Sequence, residues 1–145
     1  MTTSTDLRTL ASDLSLAVVR LTRHLRGRRA ASQVSLTQLS ALATLSRYGD
    51  MTPGALATRE RVQPPSMTRV IASLADVGLV ERRPHPTDGR QIIVSLSDAG
   101  QALIADEESA REAWMTEQLS SLDEAQLRTL QDAVTIISDI VKKSE

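Results

Sequence analysis

Between Gln63 and Leu96 the spacing of apolar residues switches from one period to another. Met67, Val70, Ile71 and Leu74 fall at i, i+3, i+4 and i+7, which is one face of a helix. The opposite face carries Pro65, Ser66, Thr68, Arg69 and Ser73, all small, polar or cationic. Pro64 and Pro65 open the segment, where the first N–H groups of a helix have no intrahelical partner and proline is accepted. Gly78 stands where such a helix stops. From Leu79 the period becomes two, which predicts strands over Leu79–Arg83 and Ile92–Leu96. Asp88-Gly89 is a turn signal between them, and Pro84 and Pro86 are expected to keep the connecting loop out of the ladder. A short helix with an apolar back and a cationic front, followed by an arginine-bearing hairpin, suits a DNA groove and its flanking phosphates.

The same patterning organises the rest of the chain. Leu7, Leu10, Leu14, Val18, Leu21 and Leu25 step by three or four, predicting a first helix from Asp6 to Arg26 behind a frayed polar end at 1–5. Gly27 ends it and a loop runs to Val34. Arg20, Arg23, Arg26, Arg28 and Arg29 cluster around that end; they read as a solvated face complementing the helix dipole, with phosphate or ligand contact as the alternative. Ser35 and Gln38 have the spacing of a capping box, and Leu36, Leu39, Leu42 and Leu45 carry the second helix to about Tyr48. Thr52-Pro53 starts a short third helix to about Glu60, with Ala55, Leu56 and Ala57 facing inward. Two short helices joined by the tight turn Arg61-Val62-Gln63 are the sequence form of a helix-turn-helix. Gln63 is a poor N-cap for the second of them.

After the hairpin, Ser97 caps a long helix to about Leu119 whose Asp106-Glu107-Glu108 run reads as solvated. Asp123 and Gln126 then form a second capping box. Leu127, Leu130, Val134, Ile137 and Val141 alternate steps of three and four, the seam of a helix that packs on other helices. The first and last helices are apolar over arcs too wide for a small helix-turn-helix core to cover. Both ends of the chain, Leu7, Leu10 and Leu14 among them, are therefore expected to build a dimer; the alternative is packing of the first and last helices on each other within one chain.

Composition narrows the chemistry. Aromatic residues make up 1% of the chain and Phe is absent, so the core is aliphatic and favours packed helices. No apolar run approaches the ~20 residues of a membrane span and no leader precedes the first helix, so the chain is expected to be cytoplasmic with no membrane partner. There is no Cys, which removes disulfides, thiolate metal sites and thiol redox sensing; His24 and His85 have no ligand spacing, so neither metal nor cofactor is expected. No paired catalytic groups or phosphate loop appear, which argues against an enzyme.

The net charge of −1 conceals a division. Residues 1–96 hold 13 Arg, no Lys and 7 acidic residues, a net of +6; residues 97–145 hold 4 basic and 11 acidic residues, a net of −7. Only the first part is suited to meet a polyanion. Arginine's planar fork binds phosphate and guanine edges bidentately, although GC-rich coding also favours Arg over Lys. Arg69 and Ser73 on the helix and Arg82 and Arg83 on the first strand are candidate DNA contacts. Asp88 is close enough to pair with Arg90 at the hairpin tip. Arg90 then reads either as a minor-groove probe or as a mobile loop arginine.

The phrase Pro64-Pro65-Ser66-Met67-Thr68-Arg69-Val70-Ile71, then Gly78-Leu79-Val80-Glu81-Arg82, Asp88-Gly89-Arg90 and Val94-Ser95-Leu96-Ser97 with Gly100, resembles the MarR family of bacterial winged-helix repressors. The resemblance covers essentially the whole chain. It implies a mainly α-helical fold with a small β-wing, dimeric through its terminal helices. Residues 1–34 would dimerise, 35–97 would form the winged helix-turn-helix, and 98–145 would complete the dimer. It implies a homodimer on a pseudo-palindromic double-stranded operator. Pro65, Ser66, Thr68 and Arg69 would lie at the major groove, and Arg90, oriented by Asp88, in the minor groove. It also implies release by a small lipophilic or phenolic effector, for which Arg20, His24, Arg47 and Tyr48 are candidate contacts. The competing reading is a winged-helix module that binds protein and not DNA.

Overall fold

The computed structural model describes residues 4–26 and 34–144. Gly27, Arg28, Arg29 and the expected loop before Val34 lie outside the described residues, as does the side chain of Arg26. In chain order the elements are α1 (Ser4–Arg26), α2 (Leu36–Tyr48), α3 (Pro53–Glu60), α4 (Pro64–Asp76), β1 (Val80–Pro84), β2 (Ile92–Leu96), α5 (Asp98–Leu119) and α6 (Glu124–Ser144). The fold class is the expected one, mainly helical with a two-stranded antiparallel wing.

Helix starts follow the caps read from the sequence. The Ser35–Gln38 box is closed in both directions, with Gln38 N–H donating to Ser35 Oγ at 3.2 Å and Ser35 N–H to Gln38 Oε1 at 2.8 Å. Thr52 Oγ1 accepts from the Ala55 N–H at 3.1 Å and Asp123 Oδ1 from the Gln126 N–H at 2.8 Å. Gln63 makes no side-chain cap, so the prolines and apolar contacts carry the start of α4. Arg61 closes α3 in the left-handed region at φ 55, which tightens the turn of the helix-turn-helix.

The chain divides into two units, residues 1–110 and 111–145. The first holds the core. It draws Ala41, Leu42 and Leu45 from α2, Leu56 and Ala57 from α3, and Met67, Ile71 and Leu74 from α4; Leu79, Val80, Val94, Leu103, Ile104 and Val34 complete it. Val70 is half-buried against it. Each fully buried Leu or Met in this set contributes about 1.5–3 kcal/mol of transfer free energy. Three expectations need correction. Ala55 and Leu36 are exposed, and Ala41 takes the inward place on α2. Glu107 is only 2% exposed, not solvated, because it lies three and four residues beyond Ile104 and Leu103 on the inward face of α5.

The wing is a short ladder with register Val80↔Leu96 to Pro84↔Ile92. Pro84 belongs to the ladder rather than to the loop; a proline is tolerated at a strand end because no N–H is required of it there. β2 gains a second neighbour in Met51, which exchanges backbone hydrogen bonds with Val94 at 2.8 and 3.2 Å. The α2–α3 connection is thereby sewn to the wing, a pairing with no periodic signal in three residues of sequence.

α5 starts against the base of the wing. The Ser97 hydroxyl donates to the Gly78 carbonyl and accepts from the Gly100 N–H at 3.1 Å, while the Ser97 N–H donates to the Leu79 carbonyl at 3.1 Å. A Cβ on Gly100 would lie 2.1 Å from that same Leu79 oxygen. α1 lies in the first unit, yet Leu7, Leu10, Leu14, Leu16, Val18, Val19 and Leu21 are 39–60% exposed. In the second unit α6 has no buried residue at all. No helix among the described residues is long and apolar enough to cross a membrane.

Gly100→Ala is expected to lower stability by about 1–3 kcal/mol, because the added methyl meets a backbone carbonyl that cannot turn aside. Urea denaturation of the two proteins measures this. A midpoint equal to wild type would mean that α5 does not pack on Leu79 as described.

Candidate nucleic-acid interface

Burial of Met67, Ile71 and Leu74 decides which side of α4 meets solvent. Pro65, Ser66, Thr68 and Arg69 are all exposed on the opposite side. Thr68 donates its hydroxyl to the Pro64 carbonyl at 3.0 Å, so its methyl and its acceptor lone pairs remain outward. The Arg69 side chain has no ion pair or hydrogen bond among the described residues. Ser73 differs from its companions. It is half-buried, accepts from Gln38 Nε2 at 2.8 Å and donates to the Val70 carbonyl at 2.8 Å. The fold turns its hydroxyl toward α2, at the edge of the exposed stripe.

The wing tip is built around two side chains. Asp88 Oδ1 accepts from the backbone N–H of Arg90 at 3.1 Å and from its Nε at 3.3 Å, and Oδ2 accepts from Gln91 Nε2 at 3.2 Å. The backbone hydrogen bond from Arg90, and then the guanidinium, hold the Asp88 carboxyl below its ordinary value. That geometry is therefore present at neutral pH and is lost only as pH falls through the lowered value. Asp88 is exposed enough that the pair fixes direction rather than stability. The Arg90 side chain is 92% exposed, so its outer nitrogens stand in solvent while Nε is anchored. His85, which sequence assigns no role beyond its lack of metal-ligand spacing, also shapes the tip. Its Nδ1 accepts from the N–H of Thr87 at 3.2 Å and of Asp88 at 3.0 Å, shaping the turn from inside. A histidine two and three residues before a turn gives no pattern that would have marked it.

The two strand arginines diverge, as neighbours on a strand must. Arg82 is exposed and without an ion pair among the described residues. Arg83 pairs with Asp50 at 3.0 Å, tying the wing to the α2–α3 connection. The wing is set off from the first turn of α3 by a cleft of about 420 Å³ lined by Thr52, Pro53, Gly54, Arg90, Gln91 and Ile92.

The four candidate effector contacts are divided between α1 and the end of α2. Arg47 and Tyr48 belong to a surface stack in which the Arg59 and Arg47 guanidinium carbons lie 3.9 and 5.4 Å from the Tyr48 ring centre. Arg20 and His24 lie on α1. A cavity of about 440 Å³ does form between the end of α2 and α5, lined by Leu45, Asp50, Leu96, Gln101, Ile104 and Glu108 among others. None of the four candidates lines it, and its charged walls are carboxylates.

With this geometry in place, comparison with known proteins is direct. A profile of the MarR family matches residues 34–92, the span from the first buried residue of the core to the start of β2. An uncharacterised HTH-type transcriptional regulator of Mycobacterium bovis is 56% identical over 135 residues, covering 93% of this chain and 94% of its own. The crystal structure of a putative transcriptional regulator from Pseudomonas aeruginosa superposes with a TM-score of 0.84 at 32% identity, over 97% of this chain and 99% of that one. The fold is also that of FabT from Streptococcus pneumoniae, solved in complex with DNA, with a TM-score of 0.70 at 15% identity over 96% and 99% of the two chains. The protein is thus a member of the MarR family of HTH-type transcriptional regulators, with α3 and α4 as its helix-turn-helix and β1–β2 as its wing.

Proposed function

We propose that this regulator is a homodimeric repressor that binds a pseudo-palindromic double-stranded operator. The observation that carries the reading is the pairing, within one unit, of an outward cationic helix face with an arginine anchored at a hairpin tip. In this reading Pro65, Ser66, Thr68 and Arg69 meet base edges in the major groove, and Arg90 enters the adjacent minor groove, where negative potential is focused. Arg82 meets phosphate. Arg83 is held by Asp50 and contributes by placing the wing.

The dimer rests on the apolar faces of α1 and α6. Leu7, Leu10, Leu14, Leu127, Leu130, Val134, Ile137 and Val141 are all solvent-exposed in the single chain, which is far more apolar surface than a monomer keeps in water. Segments 1–34 and 98–145 are assigned to this interface, which as an obligate contact would bury more than ~2,000 Å². Two α4 helices would then stand about one turn of DNA apart, ~34 Å. If a small lipophilic effector releases DNA, the cavity between α2 and α5 is the better place for it than the surface stack at Tyr48. Its carboxylate lining suits a neutral molecule more than a phenolate.

Affinity for random duplex DNA should fall steeply with salt as arginines release phosphate counterions. A module that binds only protein would show no such binding. With a duplex selected from a random pool by the purified protein, Arg90→Ala should weaken binding by at least ~1 kcal/mol. Asp88→Asn should weaken it less, since the charge persists without its anchor. Unchanged affinity for Arg90→Ala in a gel-shift titration would refute the groove role.

Ile137→Asp should shift the protein from twice the chain mass toward a monomer in sedimentation, because a charge cannot be buried in the seam. A wild-type protein that sediments as a monomer at micromolar concentration would end the dimer reading.

A further inference from the structure

α4 is held to the rest of its unit mainly by apolar contacts through Met67, Ile71 and Leu74. Such contacts are non-directional; they fix depth far better than rotation about the helix axis. A rotation of about 20° at a side-chain radius of about 5–6 Å displaces a tip by about 2 Å. Productive recognition geometry tolerates about 0.5 Å. A directional contact is suited to fixing the remaining angle of the helix.

Among the described residues, one side-chain hydrogen bond joins α4 to another element, from Gln38 Nε2 to Ser73 Oγ at 2.8 Å. Both ends of the amide are engaged. Gln38 Oε1 accepts from the Ser35 N–H at 2.8 Å, which locks the donor in place as part of the α2 cap. The Ser73 hydroxyl hands its own proton to the Val70 carbonyl at 2.8 Å, so its lone pair is aimed at Gln38. Ser73 lies four residues from Arg69 and seven from Ser66, on the same stripe one and two turns along. An anchor at Ser73 thus fixes the bearing of the residues that face outward.

We propose that Gln38 and Ser73 are a positioning pair for the reading face of α4. They set discrimination between DNA sequences and leave the affinity for phosphate backbone alone. This rests on the reading of α4 as the helix that meets base edges.

The test uses the full-length protein, the duplex it enriches from a random pool, and a shuffled duplex of the same composition. Ser73→Ala removes the acceptor and keeps the Ser35–Gln38 cap; Gln38→Leu removes the donor. Each should lower the ratio of selected to shuffled affinity roughly five-fold, and the double variant should fall no further than either single one. Affinity for the shuffled duplex should not change, and a thermal melt reports folding of each variant. Losses that multiply in the double variant would overturn the proposal, since they would mean that Ser73 touches DNA itself. An unchanged ratio, or an equal loss on the shuffled duplex, would overturn it as well. Arg69→Ala separates the two layers of the argument. If it lowers the ratio and Ser73→Ala does not, the pair is excluded and the reading face stands. If Arg69→Ala leaves the ratio intact, or no duplex is enriched, the reading face itself fails and the pair with it.

Discussion

The burial of three side chains of α4 governs the rest of the molecule. Met67, Ile71 and Leu74 belong to an aliphatic core with no phenylalanine to fill space, so shape is matched by branched and unbranched chains from six elements, α4 included. Because those three lie on one side of the helix, every polar residue of its other side is turned to solvent, with Ser73 the exception that reaches α2. Outward charge is the counterpart of inward packing. The same core seats Val80 and Val94, which carry the wing, so the helix and the hairpin tip take their places from one set of contacts.

Much of this was legible from spacing. The caps at Ser35, Thr52, Ser97 and Asp123 are local codes that need only four residues, and all four form. The inward face of α4 and the Asp88–Arg90 pair are equally local. What sequence could not supply is contact at long range. The bridge from Met51 to Val94, the ion pair from Arg83 to Asp50 and the bond from Gln38 to Ser73 join residues 33 to 43 positions apart. Each involves a residue whose type is ordinary at its place. Glu107 is a different case. Its position beyond Leu103 and Ile104 was readable, but its charge outweighed its spacing in a reading based on residue type. The effector contacts were placed by family likeness rather than spacing; two of them, Arg47 and Tyr48, share a stack with Arg59.

The charge division follows the same architecture. The positive half of the chain coincides with the elements that carry the helix-turn-helix and wing, and the negative half with α5 and α6. Solubility of the apolar terminal helices benefits from the flanking charges on α6.

The imidazole of His85 works as a former around which the hairpin loop is moulded. It grips the main chain at 87 and 88 through amide hydrogens at 3.2 and 3.0 Å, with the Thr87 hydroxyl a more distant partner at 3.5 Å. The two amide bonds need no particular side chain at 87. An imino acid at 87 or 88 would deprive the ring of a donor, and the loop would lose its mould even with Asp88's partners intact.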